Sequence, residues 1–210
     1  MHTHTRESQE SLTPDDALQI LQEGNERFCA NLKANRNLLQ QQNETRDGQW
    51  PFAAILSCID SRTSAELIFD QGLGDVFSIR IAGNFLNEDI LGSLEFACGV
   101  AGAKLVVVLG HSRCGAIKGA CDDVELGNLT ALLRKIRPAV DAVVDPADPE
   151  ERSSGNEKFV ESVARENVRR AVAGISERSS VLRSMRANDA IDIVGGMHDI
   201  TSGEVEFLPM

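Results

Sequence analysis

Short apolar runs alternate with segments of helical periodicity along most of this 210-residue chain. The runs are bounded by polar residues or glycine, a pattern typical of buried strands. They lie at 52–56, 76–81, 104–109, 190–194 and 205–208. Helical patterns at 64–69 and 88–100 separate the first three. Strands separated by helices predict an α/β fold of a single domain, with a mostly parallel central β-sheet and flanking helices.

The start of the chain divides into a polar segment and a helix. We expect residues 1–12 to form a flexible N-terminus, followed by one domain at 13–210. Thr13 followed by Pro14 is typical of a helix start, because a hydroxyl caps the first turn and proline fits it. An extended N-terminal helix is therefore predicted.

Three further segments have less regular patterns. The Gln/Asn-rich stretch 35–43 indicates a solvated connection. A helix is predicted over 126–144, with a kink or break at Pro138. Residues 157–186 predict one long helix whose inner side is apolar.

Composition and charge exclude several classes of protein. Lys and Arg number 21 against 32 Asp and Glu, a net charge of −11, so we expect no nucleic-acid partner. The longest strongly apolar run, 105–109, is too short to cross a bilayer, so we expect no membrane partner. Five cysteines are an odd number in a chain long enough to form a core. Free thiols and a cytoplasmic location are therefore expected.

Two cysteines and a histidine directly follow predicted strands. Cys58 follows the first apolar run, and His111 and Cys114 follow the run at 104–109. Side chains at the carboxyl ends of parallel strands gather at one edge of the sheet. Two thiolates and an imidazole are three zinc ligands that leave a fourth position for water or substrate. Taken singly, each residue is easily interpreted as a buried thiol or a turn histidine, but their joint placement favours a metal site.

The spacing of these residues resembles that of β-class carbonic anhydrases. Cys58-x-Asp60-x-Arg62 is followed about fifty residues later by His111-x-x-Cys114, a pattern highly specific for that family. The strongest agreement covers 49–120. The resemblance implies one Zn²⁺ per chain, held by the two cysteines and the histidine, and reversible hydration of carbon dioxide to bicarbonate and a proton.

The resemblance also implies roles for neighbouring residues. Asp60 would accept a hydrogen bond from the attacking hydroxide, and Arg62 would hold Asp60 away from the metal. Substrate-binding positions of the family match Gln49, Phe77, Gly83 and Phe96. The aromatic residues come from across a subunit boundary in the family. A homodimer or tetramer with sites at the subunit interface is therefore implied, and the N-terminal helix would pack against the partner.

The subclass follows from residues that one allosteric group of the family uses. That group has a tryptophan where this chain has Ile55 and uses a tyrosine, a residue this chain lacks. The accessible-site, plant-type subclass is therefore implied. His198 stands where a tyrosine is frequent, and we interpret it as a turn residue far from the metal, with proton transfer as the alternative. Arg113 beside the metal either favours the bicarbonate product or projects into solvent.

Two other functions stay open from the sequence alone. Some relatives use the same metal site to hydrolyse carbon disulfide or carbonyl sulfide, and sequence motifs hardly distinguish them. A non-catalytic, zinc-stabilised domain is the third hypothesis. It would have no use for Asp60, Arg62 and Gln49 beside a full set of metal-binding residues.

Overall fold

One five-stranded sheet forms the centre of the chain, whose residues 3–209 the computed structural model describes. Its strands in sequence order are β1 (Ala53–Ser57), β2 (Val76–Arg80), β3 (Leu105–His111), β4 (Asp192–His198) and β5 (Val205–Phe207). The spatial order is β2-β1-β3-β4-β5. The first four strands are mutually parallel, and β5 is antiparallel to β4. The predicted α/β fold with a mostly parallel sheet is confirmed.

Helices flank the sheet on both faces. Within the described part of the chain they are α1 (Arg6–Ser11), α2 (Pro14–Cys29), α3 (Leu38–Glu44), α4 (Ala65–Ile68), α5 (Glu88–Glu95), α6 (Gly115–Cys121), α7 (Gly127–Leu133), α8 (Arg137–Ala142), α9 (Glu157–Arg178) and α10 (Ser180–Ala187). A π-helical turn, Phe96–Val100, continues α5. None of the described helices has the length and apolar character needed to span a membrane.

Local hydrogen bonds explain where the predicted helices begin and end. At α2, Thr13 and Asp16 form a reciprocal capping box, as the sequence pattern indicates. The helix predicted over 157–186 is two helices, because the Ser179 hydroxyl caps α10 by accepting a hydrogen bond from the Leu182 backbone N–H. The break predicted at Pro138 falls just before that residue, which lies in the first turn of α8.

Two segments near the N-terminus are more ordered than the sequence pattern predicts. Residues 6–11 of the predicted flexible segment form α1, while residues 1 and 2 of that segment lie outside the described residues. The buried Gln9 amide donates to the carbonyls of Pro51 and Ala101, at 2.6 and 2.9 Å. The stretch predicted as a solvated connection contains α3, which the Asn37 side chain caps. The Gln9 bonds reach distant backbone and the Asn37 cap is local, but both are polar contacts, which hydrophobic periodicity does not register.

The core consists of two layers on opposite faces of the sheet. In β3, Val106 and Val108 face the layer that contains α9. Leu105, Val107 and Leu109 face the layer that contains α2 and α4. On α2, Ala17 and Leu21 are fully buried in this second layer. This apolar face of the N-terminal helix is covered by the chain's own sheet, so the expected contact with a partner, which stays a prediction, would have to use the other side of the helix.

The contact between α2 and α4 yields the first prediction. A Cβ added at Gly24 of α2 would lie 1.8 Å from the Phe69 carbonyl oxygen, a backbone atom that cannot move aside. We expect Gly24→Ala to lower the free energy of unfolding by about 3 kcal/mol, because the helix must shift out of its packed position. Urea unfolding measures this change. Gln22→Ala, on the exposed side of the same helix, is the control and should cost less than about 0.5 kcal/mol; equal midpoints for both variants would contradict the packing argument.

Candidate metal centre and active site

Three potential metal ligands meet at the carboxyl ends of two adjacent strands. Cys58 directly follows β1, and His111 is the last residue of β3. Since β1 and β3 are parallel neighbours, with Ser57 opposite Leu109, the two side chains emerge at the same edge. Cys114 is the N-cap residue of α6 and turns back toward them. The sheet topology thus brings together the three residues that the sequence spacing singles out.

The geometry of this cluster fits a zinc ion. The ligand atoms of Cys58, His111 and Cys114 all lie within 4.8 Å of one another, and all three residues are buried. The two Sγ atoms are 3.9 Å apart. Two zinc–sulfur bonds of about 2.3 Å at a tetrahedral angle place their sulfurs about 3.8 Å apart, so the pair has the spacing that zinc requires.

His111 presents one ring nitrogen to the cluster. Its Nδ1 lies 2.9 Å from the Ser112 carbonyl oxygen. A carbonyl only accepts hydrogen bonds, so Nδ1 carries the proton and, in the neutral ring, Nε2 keeps a free lone pair. Nε2 is buried and has no hydrogen-bond partner in the structure. A buried lone pair of this kind is the ligand atom that a metal ion would satisfy.

The two sulfurs are within hydrogen-bond distance of each other, and either can be the donor. Their interaction lowers the pKa of Cys58 and raises the pKa of Cys114, so the metal-free pair favours one thiolate that shares the proton of the other thiol. The backbone N–H of Gly83 also donates to Cys58 Sγ, at 3.4 Å. One thiolate is therefore stabilised before metal binding, and a dication would displace the shared proton.

A carboxylate beside the cluster is held by an arginine. Arg62 Nε and Nη2 donate to the two carboxylate oxygens of Asp60, at 2.9 and 2.7 Å, and the Arg62 backbone N–H adds a third bond at 3.0 Å. These bonds hold the pKa of Asp60 well below its usual range. Asp60 is therefore ionised at every pH at which the protein works, and both of its oxygens are turned toward Arg62.

A second arginine braces the loop that carries Cys58 and Asp60. Arg80, at the end of β2, donates to the Cys58 carbonyl at 3.0 Å and to the Asp60 carbonyl at 2.7 Å. The buried Thr63 hydroxyl donates to the same Asp60 carbonyl at 3.0 Å. Bonds to backbone carbonyls fix the path of the loop, and therefore the positions of the thiol and the carboxylate that it presents.

Comparison with known proteins agrees with this geometry. The family model described as carbonic anhydrase matches residues 53–205. "Carbonic anhydrase 2" of Mycobacterium tuberculosis is 36% identical over 191 residues, which cover 90% of each chain. The crystal structure of the β-carbonic anhydrase CafA of Aspergillus fumigatus superposes with a TM-score of 0.71 at 26% identity over 81% of each chain. That of the β-carbonic anhydrase CcaA gives a TM-score of 0.70 at 25% identity, covering 91% of this chain and 95% of the other.

The chain belongs to the β-class carbonic anhydrases. It is therefore a zinc-dependent enzyme that hydrates carbon dioxide reversibly, and the buried Cys–His–Cys cluster is compatible with that cofactor. The predicted family, activity and cofactor are confirmed.

The predicted substrate residues of this carbonic anhydrase lie in different places within one chain. Gly83 contacts Cys58, as described above. Phe77 and Phe96 contact each other edge to face, with centroids 6.3 Å apart, and line a surface cavity of about 630 Å³ that contains none of the metal-binding residues. Gln49 is exposed in the segment before β1. The structure of one chain thus brings only Gly83 to the metal cluster.

His198 lies closer to the metal cluster than the sequence indicates. It ends β4 directly opposite His111 of β3, so the interpretation as a turn residue far from the metal is wrong. Its ring is buried and neither nitrogen has a partner. Burial, together with the charge of His111, lowers the pKa of His198 to about 4. Arg113, by contrast, is exposed beside Glu157, with 4.0 Å between Nε and Oε1.

The remaining cysteines lie outside the cluster. Cys29 is exposed, and Cys98 and Cys121 are buried. Burial raises the pKa of Cys98 to about 12 and that of Cys121 to about 11, so both are neutral thiols at working pH. All five cysteines of the chain are free.

The cluster geometry predicts the effect of removing one sulfur. Cys114→Ser should weaken zinc binding at least tenfold, because a hydroxyl stays protonated where a thiolate would bind the metal. Zinc content after dialysis against a graded chelator series measures this change. Cys29→Ser removes an exposed thiol outside the cluster and should retain wild-type zinc content. Undiminished zinc in Cys114→Ser would remove this residue from the ligand set.

Proposed function

We propose that Cys58, His111 and Cys114 bind the zinc ion of this carbonic anhydrase, and that Asp60 orients the water that attacks carbon dioxide. The observation that carries the assignment is the buried triangle of two sulfurs and one unpartnered nitrogen, with all ligand atoms within 4.8 Å. When bound, zinc acts as a Lewis acid and allows a water to ionise near neutral pH. Three protein ligands leave one position of a tetrahedron for that water.

Asp60 has the electrostatic state that the proposed role needs. An ionised carboxylate only accepts hydrogen bonds, so it draws the remaining proton of the attacking water toward itself and turns a lone pair toward the substrate carbon. Arg62 keeps this carboxylate ionised and fixes its orientation. Carbon dioxide itself has no charge and no proton donor, so precise placement of the attacking oxygen matters more than charge complementarity.

The same contacts support the accessible-site subclass. Asp60 could close the metal site only by turning an oxygen from Arg62 to the metal, which breaks a bidentate, charge-assisted contact. Ile55, at the position of the allosteric group's tryptophan, is fully buried inside β1. We therefore infer that Asp60 stays away from the metal and that the fourth position is open to water.

We further propose that two copies of the chain complete the substrate site. Phe96 and Val100 lie on the same π-helical turn and are 53% and 75% exposed, an unusual exposure for large apolar side chains. Beside them β2 forms one edge of the sheet. Phe77 and Phe96 of one chain, with Gly83 of its partner and Gln49 of either chain, would then form the mostly apolar pocket that carbon dioxide requires. A dimer is the smallest such assembly, and a tetramer made of two such dimers is consistent with it.

A cytoplasmic location is part of this proposal. Its support is the free state of all five cysteines, two of which would be needed as thiolates for zinc. Thiols are kept reduced in the cytoplasm, whereas oxidising compartments favour their pairing.

The whole assignment is tested on one preparation. Zinc analysis should give one ion per chain, and stopped-flow measurement should detect rapid hydration of carbon dioxide that chelation abolishes and zinc restores. The same preparation is assayed with carbon disulfide and carbonyl sulfide. Turnover of these gases without carbon dioxide hydration would overturn the assigned substrate, and an inactive protein with one zinc per chain would favour a structural role.

The role of Asp60 has its own prediction. Asp60→Asn should retain zinc but lower the rate of hydration by about 10²- to 10³-fold, because a neutral amide orients the attacking water poorly. Stopped-flow rates and zinc content are measured together. Asp47→Asn changes a carboxylate that is 85% exposed and should leave both unchanged. A near-normal rate for Asp60→Asn would exclude the proposed role.

The proposed assembly predicts the effect of a charge on the exposed turn. Phe96→Glu should shift sedimentation toward the monomer and lower the hydration rate, because a carboxylate is costly to bury in an apolar interface. Val144→Glu introduces the same charge at a position that is 82% exposed, and should change neither property. Identical sedimentation of Phe96→Glu and the wild type would place this turn outside the interface.

A further inference from the structure

A single polar side chain interrupts the apolar side of α9. Asn167 is 5% exposed, and the adjacent core residues Val163 and Val168 are fully buried. A buried amide is costly unless its hydrogen bonds are made. At this position, therefore, the contacts of Asn167 explain why a polar residue stands on an apolar face.

The Asn167 amide connects α9 to the metal cluster through one glycine. Asn167 Nδ2 donates to the Gly83 carbonyl oxygen at 2.8 Å, and both groups are buried. The N–H of Gly83 in turn donates to the Cys58 sulfur at 3.4 Å. Two hydrogen bonds thus link a helix residue to a zinc-binding sulfur that is more than one hundred residues away in sequence.

The turn conformation of Gly83 directs its N–H at the Cys58 sulfur. Residues 81–84 form a β-turn closed by the Asn84 N–H on the Ile81 carbonyl at 3.0 Å. Gly83 is its third residue with φ +77°, while Ala82 is not in the positive-φ region, which defines a type II turn. Rotation of the central peptide to the type I form would turn the Gly83 N–H away from the sulfur. The Gly83 carbonyl belongs to the next peptide, so the Asn167 bond anchors the far side of the turn and with it the position of Gly83 relative to the sulfur.

Crowding around the turn leaves Gly83 little alternative. A Cβ at this position would lie 2.4 Å from Ile136 Cδ1 and 3.2 Å from Ala116 Cβ. Only glycine fits, and glycine by itself does not hold one backbone conformation. The turn hydrogen bond restrains the conformation of Gly83, and the Asn167 amide holds the turn in place against α9.

We propose that Asn167 is a positioning residue of the zinc site, which holds Gly83 in place so that its N–H donates to the Cys58 sulfur. The inference rests on the proposed ligand set. Donors to a metal-binding group fix its orientation and reduce the charge that it gives to the metal. In this enzyme the helix α9 therefore sets both the direction and the donor strength of one zinc-binding thiolate.

The test compares two Asn167 variants with a matched control. Asn167→Ala removes the donor, and Asn167→Leu removes it while filling the space, which protects folding if the alanine variant is unstable. Val172→Ala is the control, because it creates a cavity on the same helix at a side chain that is 1% exposed. Unlike Asn167, Val172 makes no hydrogen bond to Gly83. Unfolding free energies identify the Asn167 variant whose loss of stability best matches the control.

Two measurements on the metal-loaded proteins follow. Zinc affinity is measured by chelator competition, and the thiolate-to-metal charge-transfer band is measured after cobalt replaces zinc. We expect the Asn167 variants to bind zinc 10- to 100-fold more weakly. Their charge-transfer band should move to longer wavelength, since a sulfur without its N–H donor holds its electrons less tightly. Val172→Ala should retain the wild-type band and affinity.

The outcomes separate this inference from the ligand assignment. A wild-type cobalt protein without a thiolate band would overturn the ligand set itself. A normal wild-type band that stays unchanged in both Asn167 variants would overturn the positioning role alone. Equal changes in Val172→Ala at equal loss of stability would likewise reduce Asn167 to a packing residue.

Discussion

Two sulfur atoms 3.9 Å apart in a buried pocket are the constraint on which the rest of the site depends. Two thiolates so close repel each other strongly, because little water is present to screen them. A shared proton relieves this repulsion without metal, and a dication relieves it with metal. The strands β1 and β3 must therefore bring their ends together accurately enough for one ion to touch both sulfurs and His111.

A further negative charge stands beside this pair, and arginines compensate for it. Asp60 lies two residues after Cys58. Arg62 binds the Asp60 carboxylate, and Arg80 binds the backbone carbonyls of Cys58 and Asp60. The chain as a whole has a net charge of −11, so this concentration of guanidinium groups is local. The arginines allow the Asp60 carboxylate to stay ionised next to two sulfurs. A water molecule in the fourth metal position would then find a hydrogen-bond acceptor beside it.

The parts that could be predicted from the sequence are those that depend on near neighbours. The Thr13 cap and the strands β1 and β3 are of this kind, whereas Cys58, His111 and Cys114 are singled out by their spacing and by their places after two strands. The position of His198 could not be predicted, because it depends on the register of β4 beside β3. Asn167 did leave a signal, a polar residue at a core-facing position of a helix, but its partner Gly83 is identified only when the chain is folded.

The distance in sequence between the ligands and their supports has a consequence for synthesis. Cys58, His111 and Cys114, the proposed zinc ligands, have all left the ribosome once synthesis has passed residue 114 by the length of chain that fills the exit tunnel. The helix that carries Asn167 and the strand β4, which flanks His111, are translated later. In a nascent chain, therefore, the two thiols are exposed before the helix and strand that orient them have been made. The scaffold that orients the three side chains is therefore complete only after the C-terminal third of the polypeptide has been made.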